Sequence, residues 1–387
     1  MSIMRIYKEN RQIFYMISGT LVTTLFFSIF WFLNASLLTK EIYGILSFII
    51  SLSALLSTFS IFGFTYASLT YNSSGELKDK LEVFNVLVFI FYIISNIILL
   101  ILKQNPLISF IVLGYCCFHM HSNNLIVMQK YYDYAKYRLC CCFLMCLFGT
   151  ISVLLEFSSL IISLSFIAPT LFLSTSFWKN LNLKKFLNDI FKLKTIYLNL
   201  IFLGIYSLLR NSVSYLDKVI ISFWFGFLDL ADYNFIFQIF LVLNFIPQSI
   251  QNYLISEYSR NNVKISNIKM IILLSILVLF LSILFAPLII KFLFPLYSNT
   301  INTVQLISIS IPFSSLGTIN ISNLINEKKV QSVIIIFLSA IFFQYFSIYY
   351  FYQKFNLFGL GISLLLTQIL IYLLSCIFIK LHSKKVM

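Results

Sequence analysis

Residues 268–290 read IKMIILLSILVLFLSILFAPLII, and Lys269 is the only charge in them. An α-helix rises about 1.5 Å per residue and a bilayer core is about 30 Å thick, so roughly 20 apolar residues make one crossing. Working outward, the same pattern recurs at 13–33, 42–67, 81–102, 107–127, 137–155, 158–178, 197–225, 231–255, 302–325, 331–352 and 357–379. No strand-like alternation persists over such lengths, which selects helices over a β-barrel. Turn or charge signals fill the gaps, as in Asn72-Ser73-Ser74-Gly75, Gln104-Asn105-Pro106 and Lys354-Phe355-Asn356. The first stretch is too long and too directly continued for a cleaved signal peptide.

Composition agrees. Of 387 residues, 60% are hydrophobic and only 10% charged, with mean hydropathy +0.94. A soluble domain has roughly a quarter charged residues, and a chain this apolar could not cover itself in water. Disorder is excluded because too much apolar side chain would stay unburied. The 43 Phe and 23 Tyr suit lipid-facing walls and interfacial belts. Seven cysteines, among them Cys116-Cys117 and Cys140-Cys141-Cys142, lie within or next to apolar runs without metal-ligand spacing, and read as packing residues.

The net charge of +14 invites a nucleic-acid reading, which the placement of the charges rejects. With a cytoplasmic N-terminus, the inner segments hold 21 Lys and Arg, and the outer loops hold only Lys40, Lys103, Lys291 and Lys354. Such a loop-by-loop bias reports orientation, with twelve spans and both termini cytoplasmic in an inner, cytoplasmic membrane. Arg210 and Lys218 fall within a span instead.

The longest polar connection, 179–195, separates six spans from six. The expected domains are therefore 1–178, a linker at 179–195, and 196–387. At an offset of 190, Glu41-Ile42-Tyr43-Gly44 aligns with Ala231-Asp232-Tyr233-Asn234. An even number of spans per half gives both halves the same orientation, a parallel repeat bracketing a central path. The expected fold is an all-α integral membrane protein with two parallel six-helix bundles around a central cavity.

Span 197–225 carries the chemistry. Arg210 and Asp217 are seven residues apart, about 20° on one helical face, and Lys218 points roughly 80° from Arg210. Charges at membrane depth face a bundle interior or a wet cavity. The three are candidates for an anion site, with Asp217 pairing or relaying protons. The alternatives are a structural Arg–Asp pair, or a helix ending near Tyr215 that leaves Asp217 and Lys218 at the interface. His119, late in the fourth span with Asn123 one turn on, is a candidate for proton coupling. Gln238 and the kinking Pro247 in span 231–255 are candidates for gating or substrate contact, with a packing kink as the equal alternative. Pro169 carries the same ambiguity between kink and gate. No phosphate loop, zinc-protease motif or nucleophile elbow occurs, so no catalytic residue, metal or cofactor is expected. The pair Asp229 and Asp232 is the nearest to an enzyme-like constellation, and Asp232 reads as opening the eighth span.

Short motifs sit at matching helix ends: Leu38-Thr39-Lys40-Glu41-Ile42-Tyr43-Gly44 and Gly63, then Asp217-Lys218-Val219-Ile220-Ile221, Gly226 and Asp232-Tyr233. Asn252-Tyr253, Glu257-Tyr258-Ser259-Arg260 and Pro295-Leu296-Tyr297 follow. In these the chain resembles the polysaccharide exporters of the multidrug/oligosaccharidyl-lipid/polysaccharide flippase superfamily, in particular Wzx-type O-antigen flippases. The resemblance implies a non-enzymatic flippase. It would carry isoprenoid (undecaprenyl)-diphosphate-linked oligosaccharide from the inner to the outer leaflet by alternating access. The implied partners are that lipid, membrane lipid, a coupling ion (proton or sodium) and glycan-polymerisation proteins, with no nucleic acid. Arg210, Asp217 and Lys218 are the implied substrate residues. The competing readings are a multidrug-type cation antiporter, which needs an acid at mid-membrane in the first half, and a membrane glycan polymerase, which needs a large outer loop.

Overall fold

A computed structural model describes residues 3–64, 81–181, 186, 197–245, 265–327 and 329–383. Every apolar stretch identified above lies on helix over most of its described length, and the described residues contain no strand. In chain order the helices are α1 (Ile3–Leu37), α2 (Lys40–Ile61), α3 (Leu81–Ile101), α4 (Ile108–Val127), α5 (Tyr131–Leu154), α6 (Ser159–Leu173) and α7 (Thr175–Lys179). Then follow α8 (Tyr197–Phe225), α9 (Phe227–Leu243), α10 (Ile265–Leu293), a 3₁₀ turn (Pro295–Thr300), α11 (Ile301–Ser308), α12 (Ser310–Asn326) and α13 (Val330–Ser383).

Seven of these helices are long and apolar enough to cross a membrane, and eight if the pair Pro295–Ser308 and Ser310–Asn326, bent by 43°, is one broken span. At 54 residues α13 is far longer than one crossing needs. Asn356 breaks it with φ 48°, at the Lys354-Phe355-Asn356 signal read from sequence, so that its two arms answer the last two expected spans.

Lipid explains which side chains face outward. Along α10, Leu273, Leu277, Phe280, Leu284 and Leu288 are all exposed, spaced three and four residues apart. In water such a stripe would be a liability, whereas acyl chains cover it. Many hydroxyls within the helices are satisfied by their own backbone. The Ser53 hydroxyl donates to the Ile49 carbonyl at 2.8 Å, Ser122 to Phe118 at 2.7 Å, and Thr367 to Ser363 at 2.7 Å. A hydroxyl that bonds its own helix costs little in an apolar medium.

The chain forms two compact units, residues 1–30 with 48–211, and residues 31–47 with 212–387. In the first, α6 packs on α4 and α5, and α3 on α4. Phe30 stacks on Phe166 at 4.1 Å as part of its core. Gly63 closes α2 at φ +77°, and a Cβ there would sit 2.4 Å from the Gly204 nitrogen, so the backbones meet where no side chain fits. In the second unit α12 and α11 pack on α13, α10 packs on α11 and α12, and α9 packs on α11. The segment 31–47, which comes early in the sequence, belongs to this second unit.

Candidate functional site

The charged part of α8 is helical throughout, since the helix runs on to Phe225. Asp217 and Lys218 are therefore not terminal, and both are buried, with 0% and 2% of their surface exposed. A bare carboxylate or ammonium would be costly there. The Asp217 carboxylate accepts the Lys218 backbone N–H at 2.7 Å and the Tyr233 hydroxyl of α9. The Lys218 ammonium lies 3.7 Å from Asp217, donates to the Ser214 carbonyl, and sits 3.4 Å above the Phe237 ring. The pair is neutral as a unit, with an aromatic wall taking the remaining positive face.

Helix α13 grips the preceding turn of α8. The Gln344 amide donates to the Val213 carbonyl at 3.2 Å, and the Tyr345 hydroxyl to the Ser212 carbonyl at 3.5 Å. Gln238 is buried on α9 and donates to the Asn234 side-chain oxygen at 3.2 Å, one turn earlier. The structure thus joins α8, α9 and α13 around Asp217 and Lys218, with Gln238 farther along α9. Arg210 is half-buried, and its guanidinium donates to the Tyr206 hydroxyl at 3.4 Å, one turn back on α8.

In the first unit His119 is half-buried beside Phe118, its ring edge-on at 5.5 Å. On the same Phe118 ring lies the Arg138 guanidinium, at 4.3 Å, which also donates to Thr23 at 3.2 Å. Sequence reasoning counted Arg138 only as an orientation charge. His121 lies deeper, its Nδ1 accepting the Ser176 backbone N–H at 3.1 Å, with Tyr137 against its ring at 4.2 Å. Pro247 lies outside the described residues. Pro169 lies inside α6, whose last turn follows it. All seven cysteines are free, and among the described residues no group of three His, Cys, Asp or Glu could hold a metal.

Sequence reasoning also missed a cluster at the start of α2 and α9. Lys40, read as a loop charge, pairs with Asp232 at 2.6 Å, and Asn299 donates to the other carboxylate oxygen at 2.8 Å. Asp232 does not open α9 but lies in its second turn, after Phe227. Asp229 accepts from the Tyr352 hydroxyl at 2.7 Å, so the two nearby acids serve different partners. The only available signal was that the 190-residue offset aligns the starts of these two helices.

Solved structures share this arrangement along nearly the whole chain. One, described as MATE in the straight conformation, superposes with TM-score 0.70 at 14% identity, over 96% of this chain and 94% of that one. The chain has the MATE fold. An outward-facing multidrug resistance MATE family transporter of the MOP superfamily gives TM-score 0.67 at 15% identity, over 96% and 94%. An inward-facing one gives 0.64 at 11% identity, over 96% and 98%. No family model and no curated protein matches the chain. A MATE fold is all-helical and membrane-embedded, as the apolar stretches require.

Proposed function

We propose that the chain is a non-enzymatic membrane transporter that carries isoprenoid-diphosphate-linked oligosaccharide from the inner to the outer leaflet. It works by alternating access with coupling to a proton or sodium ion. The observation that carries the reading is the charged, polar stretch of α8 inside an apolar helical chain whose fold matches transporters solved facing inward and outward. Side chains of this kind at membrane depth mark a path for a polar cargo.

Arg210 is the residue proposed to meet the diphosphate, since its planar fork of donors fits phosphate oxygens and it keeps part of its surface open. Lys218 reaches an anion only by leaving Asp217 and the Ser214 carbonyl. Asp217 and Lys218 are accordingly proposed to join the substrate site in a second state of the cycle, with His119 and Gln238 as coupling or gating groups. Positive loops support cytoplasmic termini in an inner membrane, and glycan-polymerisation proteins are the proposed downstream partners.

A second reading, a multidrug-type cation antiporter, is favoured by the names of the fold neighbours. It calls for a carboxylate at mid-span in the first half. Among the described residues there, Glu9 precedes the apolar part of α1 at 18–37, Glu41, Glu82 and Asp133 lie in the first turns of α2, α3 and α5, and Glu156 follows α5. That distribution supports the anionic cargo.

Deleting the gene tests the proposal. The expected outcome is lipid-linked repeat units stranded in the inner leaflet with surface glycan lost, restored by the intact gene. Normal surface glycan in the deletion strain would overturn it.

A further inference from the structure

Segment 31–47 belongs to the first half of the sequence but packs into the unit built from residues 212–387. Its attachment has two layers. Outermost is the Lys40–Asp232 pair at 2.6 Å, with Asn299 on the second carboxylate oxygen at 2.8 Å and Lys40 also 5.0 Å from the Tyr297 ring centre. Beneath it lie aromatic rings: Tyr43 meets Tyr297 at 6.0 Å, Trp31 meets Tyr43 at 5.6 Å, and Tyr297 stacks on Phe235 at 4.3 Å. The backbones also touch, since a Cβ on Gly44 would sit 2.0 Å from the Phe227 carbonyl oxygen.

Two features set this seam apart from permanent core. The Lys40 and Asp232 side chains keep 24% and 11% of their surface open, so water reaches the pair. Below it, the Tyr297 hydroxyl is buried without a partner in hydrogen-bonding geometry, and the buried Tyr43 hydroxyl faces the Asn234 side chain. Buried polar groups are almost always satisfied, and each exception calls for an explanation. A group that lacks a protein partner in the closed state and is hydrated in an open one is such an explanation, and it lowers the cost of opening.

The geometry points to a gate: Lys40, Asp232 and Asn299 latch an aromatic plug that closes one face of the transport path, and the latch must break for cargo to pass. This rests on the alternating-access reading above. In the proposed orientation the gate is on the outer face, and it opens when segment 31–47 leaves the start of α9. An ion pair with open edges suits this, because water can take over both charges as they part.

Two measurements on membranes test it. In a background freed of the native cysteines, Asn234→Cys is labelled by an impermeant thiol reagent. Labelling is expected to be slow with the latch intact, about tenfold faster with Asp232→Asn, and slow again when Lys40→Asp and Asp232→Lys exchange the charges. Lys40→Cys with Asp232→Cys, joined by a short cleavable bis-thiol reagent, is expected to stop export until the link is cut. An unchanged labelling rate in Asp232→Asn, or full export by the linked protein, would overturn the gate. Labelling reports opening whatever the cargo. Latch-dependent labelling in a protein that leaves surface glycan untouched would therefore refute the flippase reading and keep the gate.

Discussion

Two of the ion pairs in the second unit are built in opposite ways. Asp217 and Lys218 are neighbours on one helix, with 0% and 2% exposed, and each is fixed by further partners from α8 and α9. Lys40 and Asp232 are 192 residues apart, partly open to water, and held by side chains that meet only while segment 31–47 lies against α9. The backbones of adjacent helix residues cannot part, so the first pair changes only by side-chain rotation, with the Lys218 ammonium leaving the carboxylate, or by exchange of a proton. The second can be pulled apart whole. Burial and sequence separation thus divide the tasks: one pair keeps charge inside the bundle, and the other is positioned to open and close.

Substitutions can break this contrast, the largest effect coming from the deep pair. Asp217→Ala leaves the Lys218 ammonium buried without its counter-charge, and about 3–5 kcal/mol of stability should be lost. In detergent this reads as a large fall in the folded fraction. Asp217→Asn with Lys218→Met should recover most of it, since replacing both charges is often neutral. If both variants were equally damaged, the charge balance would not be what holds α8 to α9.

Gly44→Ala comes next. Its Cβ would fall 2.0 Å from the Phe227 carbonyl oxygen, so the backbones must separate, at about 1–3 kcal/mol. Thermal unfolding checks the loss, and no change would mean that the start of α2 does not touch α9 so closely. Arg210→Ala should leave folding intact yet lower export about tenfold, the effect of about 1.4 kcal/mol at the cargo. Full export would remove Arg210 from the site. Smallest is Lys40→Met. Because the pair is partly screened, stability should change by about 1 kcal/mol or less, while the closed state becomes less populated.

How much of this was legible in the sequence follows from the range of each interaction. The helices were, because apolar runs of membrane length and their interruptions are local. Asn356 breaks α13 within the signal Lys354-Phe355-Asn356. That Asp217 and Lys218 lie within a helix depended on where α8 ends, which periodicity alone left open and Phe225 decides. Their mutual pairing was masked by the stronger pattern at i, i+7 that linked Arg210 to Asp217. The Lys40–Asp232–Asn299 cluster needs three separate chain segments to meet, and no spacing rule reaches across 192 residues. His121 was readable as a polar residue in a span, but its bond to the Ser176 backbone depends on where α7 begins.

Purified protein in liposomes gives the most direct test of the central claim. A labelled isoprenoid-diphosphate-linked oligosaccharide is loaded into one leaflet and its appearance in the other is followed. The account predicts equilibration well above that of protein-free vesicles, and about tenfold slower with Arg210→Ala. A rate equal to that of empty vesicles, from protein that exchanges organic cations across the same membrane, would contradict it.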